Sequence, residues 1–204
     1  MTDIAFPSAA GNVVQVMRWI VVRPAQLFRS PLDGTLQTGA TQGPRWDAML
    51  SLRPMVEAHA VEFEAFLAKL GQGNRALIPY FKRQAPRGTI TTAGVTVNGA
   101  LAAGATQLTL AGTGATKTLL TGDCFSVGGE FKMVVDGPYT SDGAGAMANV
   151  KFEPPLRTAV SNGAGVTLST PTVRMVLRTP EYGWEVRAGL VSGFDSLAFE
   201  EAFS

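Results

Sequence analysis

The chain has 204 residues, 17 Lys plus Arg, 16 Asp plus Glu and 46% hydrophobic side chains, enough to bury a core as one domain or two small ones. A single cysteine, Cys124, excludes an internal disulfide and any cysteine-built zinc cluster, in keeping with synthesis in a reducing cytoplasm. Charge is uneven: residues 1–87 sum to +4 (ten basic, six acidic), 88–170 to −1 (four and five) and 171–204 to −2 (three and five), and no segment is basic enough for a nucleic-acid groove.

The N-terminal MTDIAFPSAAG carries an acid and lacks the basic, apolar region of an export signal. VVQVMRWIVV, Val13 to Val22, reads as a strand. Its apolar run is interrupted by Gln15 and Arg18 and falls short of the about twenty residues a membrane helix needs, so no membrane insertion is expected. A polar loop is expected next, and then a helix over about residues 54–70. There Val56, Ala60, Phe63, Leu67 and Leu70 recur at steps of four and three and form one apolar stripe. Pro54 suits a first helical turn and Gly71 a C-terminal stop. The only histidine, His59, lies with Phe66 and Glu62 on one shoulder of that stripe, while Glu57 and Glu64 lie on the other. The acids do not converge on the imidazole, and a catalytic metal usually takes about three protein ligands, so an ordinary amphipathic helix is expected rather than a metal or acid–base site.

From Gly88 to Thr170 the texture changes. This segment holds 14 of the 23 glycines and no Trp or His, with short β-rich runs parted by Gly, Ser, Asn and Asp. Strands are expected at Gly94–Asn98, Thr106–Leu110, Asp123–Val127, Glu130–Val135, Ala146–Phe152 and Val166–Leu168. In CFSVGGEFKMVV, Gly128–Gly129 marks a tight hairpin, with Phe125, Val127, Phe131, Met133 and Val135 apolar and Lys132 facing outward. Cys124 is expected as a small buried side chain rather than a nucleophile. Beyond the segment, strands are expected near Val173–Thr179, Gly183–Ala188 and Leu197–Phe203. Neither flank alone supplies enough strands for a stable sheet. The expected fold is therefore mainly β: a discontinuous β-sandwich of residues 1–87 and 171–204 with one helix, and a small β-barrel, residues 88–170, inserted between Arg87 and Pro171.

Motifs for chemistry fail in detail. AGTGATKT, Ala111 to Thr118, lacks the glycine before its lysine that a phosphate loop requires and reads as a turn. Asp136, Asp142 and Asn149 are too few and too irregular for a calcium loop. There is no G-x-S-x-G elbow, and a Ser-His-Asp triad would have to use His59. No catalytic, cofactor-binding or metal-binding residue is assigned. Trp19, Trp46, Trp184, Tyr182 and Phe194 read as core or interface packing before they read as a sugar platform. PPLR, Pro154 to Arg157, closes a strand, and Arg157 is left to pair with an acid or reach a neighbouring subunit.

Three stretches, SPLDGTLQTGATQGPRW (Ser30–Trp46), EAHAVEFEAFLAKLGQG leading into APRG (Glu57–Gly73, then Ala85–Gly88) and LLTGDCFSVGGEFKMVVDGPYTSDGAGAMANVKFEPPLR (Leu119–Arg157), resemble tail-tip structural proteins of long-tailed bacteriophages, of the distal tail protein kind. The resemblance runs over most of the chain from Ser30 onward and brings no catalytic residue with it. It implies an N-terminal β-sandwich with a helix that builds a homo-oligomeric ring, typically a hexamer, joining the tail tube protein to the baseplate hub protein in the virion tail. Some such proteins carry an extra barrel resembling an oligonucleotide/oligosaccharide-binding fold outside the ring, which Gly88–Thr170 would supply, and a receptor-binding or fibre protein is a further partner. A ring built from one chain needs two different complementary patches, for which the +4 and −2 segments are suited. The competing expectation is a carbohydrate-binding module acting in host-surface attachment. An enzyme and a single-stranded nucleic-acid binder rank lower, since no catalytic constellation exists and the inserted segment sums to −1.

Overall fold

The computed structural model describes residues 1–7, 14–23, 25–31, 33–40, 44–71, 73–179 and 181–202, with the side chains of 25–28 and 36–40 outside the description. In chain order the first segment gives β1 (Asp3–Ala5), β2 (Val14–Val22), β3 (Ala25–Arg29), β4 (Leu36–Ala40), β5 (Arg45–Leu52), β6 (Met55–Val56), α1 (Glu57–Leu70) and β7 (Arg75–Pro79). The glycine-rich segment gives β8 (Thr96–Val97), β9 (Gln107–Ala111), β10 (Thr118–Leu119), β11 (Cys124–Val127), β12 (Glu130–Val134), β13 (Tyr139–Thr140), β14 (Met147–Glu153) and β15 (Val166–Thr167). The last segment gives β16 (Thr172–Leu177), β17 (Trp184–Arg187), β18 (Val191–Phe194) and β19 (Leu197–Glu201).

The fold is mainly β, a sandwich joined to a small barrel. One six-stranded sheet runs β1-β7-β16-β19-β5-β2, so strands from both ends of the chain alternate within it. Its inward residues, Trp46, Ala48, Leu50 and Leu52 on β5, Val173 and Met175 on β16, Leu197 and Phe199 on β19, follow the period of two that places alternate side chains on one face. Against them pack α1 and, from a three-stranded sheet β17-β18-β6, Met55 of β6 and Phe194 of β18. Because helical side chains three and four apart share a face, α1 presents Ala60, Phe63, Phe66, Leu67 and Leu70 to this core. Phe63 meets Phe194 edge-on at 4.9 Å.

A second six-stranded sheet runs β15-β11-β12-β14-β9-β8, and a bridge between Thr96 and Gly165 brings its two ends together into a nearly closed barrel. Its buried cluster, with Val97, Leu110, Phe125, Val127, Val134, Phe152 and Leu168, draws only on residues of 88–170. Gly128 and Gly129 have φ of 60° and 82°, the positive values a two-residue hairpin turn demands and glycine adopts without penalty. Entry to and exit from this segment run side by side: the Tyr80 N–H donates to the Pro171 carbonyl at 3.2 Å and the Thr170 N–H to the Gln84 carbonyl at 2.6 Å.

Several expectations need correction. The helix begins at Glu57 rather than near Pro54, because Met55 and Val56 pair with Ser192 and Val191 of β18 and the chain is held extended there. Val56 is consequently exposed, and Phe66 takes its place in the buried stripe. The stretch read as a polar loop between β2 and the helix contains the hairpin β3–β4 and the eight-residue β5. Lys132 does not face water; it is 1% exposed. Phe131, expected only as an apolar residue of the hairpin, lies in the sandwich core.

Candidate functional site

The hairpin β11–β12 has no solvent face, and this decides what its residues do. In its antiparallel register Cys124 stands opposite Met133 and Ser126 opposite Phe131, so these four share one face, while Phe125 and Val127 share the other with Lys132 and Glu130. The second face closes the barrel. The first packs Cys124, Phe131 and Met133 into the sandwich core. Phe131 sits within 5.4 Å, ring centre to ring centre, of Trp19, Trp46 and Tyr80, and the Trp46 indole N–H donates to the Phe131 carbonyl at 3.1 Å. A buried tryptophan keeps its N–H satisfied by such a bond.

Beside this aromatic contact lies a buried group of charges. Lys132 Nζ is 2.7 Å from Glu130 Oε2 and 2.9 Å from the Pro155 carbonyl. The Glu130 carboxylate also accepts from the Arg157 N–H, the Thr158 N–H and the Thr158 hydroxyl. Burial alone would raise its pKa, but the Lys132 charge and these bonds outweigh that and hold it below the ordinary glutamate value. Burial works the other way on Lys132 and lowers its pKa against the pull of Glu130. Arg157 reaches across to the sandwich through a guanidinium bond to the Pro44 carbonyl at 3.3 Å. On the sandwich side Glu201, at the end of β19, accepts the Trp46 backbone N–H at 2.9 Å. Burial drives its pKa up to about 7, moderated by that bond and by Lys132.

Asp123, fully buried, fastens the start of the glycine-rich segment. Its carboxylate accepts the N–H groups of Arg87, Gly88 and Leu120 at 3.0, 3.3 and 2.9 Å and stands 3.4 Å from Arg87 Nε. Arg83 adds a bond from its guanidinium to the Gly122 carbonyl. Gly88 lies so close to the Thr118 carbonyl that a Cβ would collide with it.

The residues that chemistry would need are elsewhere and apart. His59 is exposed on α1. Cys124 is buried, and burial pushes its thiol up to about 12, so it stays protonated and unreactive. Asp142 closes its own turn by accepting the N–H groups of Ala144 and Ala146, and Asp136 pairs with Lys151 at 3.0 Å on the surface. AGTGATKT is the turn between β9 and β10, with Thr113 bonded to the Gly145 carbonyl at 2.9 Å. Among the described residues no three His, Cys, Asp or Glu side chains gather as a metal would require. A cleft of about 370 Å³ beside β1 and β7 is lined by apolar groups such as Phe6, Leu77, Pro79 and Phe81, without an acid or base. No helix among the described residues is long and apolar enough to cross a membrane.

Of the aromatics singled out by sequence, Trp19 and Trp46 meet at the junction, Phe194 packs on α1, and the Tyr182 hydroxyl donates to the Leu67 carbonyl at 3.0 Å. Trp184 remains 42% exposed. Glu201 and the Glu130–Lys132 pair escaped sequence reading. The only signal was a lysine inside an otherwise apolar strand, which alternation assigns to solvent. No protein-family model and no curated protein matches the chain.

Proposed function

We propose that this chain is a non-enzymatic structural component of a long-tailed phage tail tip, assembling with copies of itself into a ring between the tail tube and the baseplate hub. The observation that carries the self-assembly part is the β3–β4 hairpin, whose strands pair only with each other among the described residues. An isolated two-stranded hairpin is marginally stable in water, so a partner surface is what fixes it. The phage assignment rests on the resemblance of Ser30–Trp46, Glu57–Gly73 and Leu119–Arg157. A fully buried Cys124, an exposed lone His59 and an apolar cleft without acid or base fit a protein that positions others rather than one that transforms a substrate.

The carbohydrate-binding reading is weaker. Phe125, Phe131 and Phe152 are buried, and the hydroxyl of half-buried Tyr139 accepts the Lys151 N–H at 3.1 Å. The glycine-rich segment thus offers sugar rings no stacking face from these aromatics.

Gold-labelled antibody against the chain, applied to phage particles whose genome encodes it, tests the assignment. Label confined to the tail tip is expected. Particles complete with tails and free of label overturn it.

A further inference from the structure

We infer that the free edge of β2 in one copy meets the free edge of β17 in the next, a heterologous contact between two different patches of the same chain. The inference rests on the ring reading and supplies its interface.

Among the described strands with an open edge, two stand out. β2 has nine residues, pairs with β5 on one side and has no described strand on the other. Sheet edges are usually guarded by short length, charge, proline or a bulge, because unpaired N–H and C=O groups invite another chain. Here the guard is thin: a register shift between Val14 and Val16, and the single charge Arg18, on a strand that leaves Val16 and Val21 exposed. β17 is the outer strand of its sheet, and every one of its residues is exposed. Trp184 stands opposite Phe194 and Val186 opposite Ser192, so the two share the face that β18 turns toward α1. Among the described residues they are left 42% and 61% exposed. An apolar strand that continues a core-facing surface into solvent lacks its covering layer.

Charge selects the occupant. Exposed Arg18 and Arg23, on and just after β2, have no ion-pair partner among the described residues. Around β17 lie exposed Glu181, Glu185 and Asp195 with one base, Arg187. Arg187 stands 3.5 Å from Glu185, a solvent-exposed pair worth little that leaves the acids available. The alternative of β2 against β2 about a two-fold axis would set Arg18, the central residue of the strand, against its own copy, and like charges opposite one another destabilise a strand pair. It would also close a dimer, whereas contact between unlike patches is what generates a ring.

A charge swap tests this on the full-length chain. Sedimentation velocity is run on the wild type, Arg18→Glu, Glu185→Arg and the double variant, with circular dichroism as a control for folding. Each exposed single reversal is expected to raise the concentration needed for assembly about tenfold, and the double variant to recover most of that loss. A wild type that assembles while the single variants match it, or a double variant no better than the singles combined, overturns the edge contact and leaves the ring reading standing. A wild type that stays monomeric overturns both.

Discussion

The sandwich and the barrel bury their cores in different ways, and the difference shows which of them depends on the other. The barrel core draws on residues 88–170 alone. The sandwich core takes Cys124, Phe131 and Met133 from that same segment. A segment that enters and leaves by adjacent strands is thus more than an appendage, because one of its hairpins is part of the wall of the scaffold that carries it. The sandwich in turn owes its main sheet to both chain ends, with β7 and β5 from the first segment flanking β16 and β19 from the last.

The dependence is broken most strongly at Phe131. Phe131→Ala is expected to cost about 3–5 kcal/mol, since a fully buried ring touching Trp19, Trp46 and Tyr80 leaves a cavity that its neighbours cannot refill. Denaturant unfolding followed by tryptophan fluorescence measures it. The sharpening control is Phe152→Ala, a deletion of similar cost inside the barrel, which should leave the Trp19–Trp46 fluorescence of the native state unchanged where Phe131→Ala alters it.

Asp123→Ala removes the carboxylate that ties Arg87, Gly88 and Leu120 together, and should cost about 3 kcal/mol, because several bonds to a buried charge are lost and their donors are left unpaired. Proteolysis is expected to cut near residue 88 in this variant first. Resistance there equal to the wild type would mean that the segment is held by its packing rather than by this latch.

Glu201 makes the junction sensitive to pH. Its folded pKa of about 7 lies above the ordinary 4.5, so its contribution to stability is fully present below about 4.5 and is lost as the pH rises through about 7. The linkage amounts to roughly 3 kcal/mol at most. Glu130, held below its ordinary value, acts in the opposite sense and only at lower pH, where its protonation would remove stability. Stability should therefore fall between pH 5 and about 7 in the wild type, and Glu201→Gln, which keeps an acceptor for the Trp46 N–H, should flatten that slope. The smallest effect concerns Cys124: a thiol reagent at pH 8 should label it only in denaturant.

Sequence reading was strongest where one rule governs one face. The six expected strands of the glycine-rich segment, the Gly128–Gly129 turn, the burial of Cys124 and the body of α1 all follow from local alternation, helical spacing and turn chemistry, whereas the two-residue strands β10 and β13, too short to alternate, do not. It failed where a residue answers to two surroundings. Lys132 alternates like a solvent-facing residue but is enclosed because β11–β12 is covered on both sides, and for the same reason Phe131 packs into the sandwich core rather than that of its own segment. Val56 lost its place in the helix to pairing with Val191, a contact more than a hundred positions away. β18 went unread because VSGF is short and holds a glycine and a serine, while its strand character comes from partners on either side. The exposed apolar residues of β17 were legible only as strand, since which face lies uncovered depends on how distant parts of the chain pack.

Self-association is the point on which the rest turns, and sedimentation velocity over a wide range of protein concentration measures it directly. Ring assembly requires one discrete species at a whole-number multiple of 21.5 kDa, reached at a defined concentration and not exceeded at higher ones. A 21.5 kDa monomer at every concentration would contradict it, as would aggregates that grow without limit.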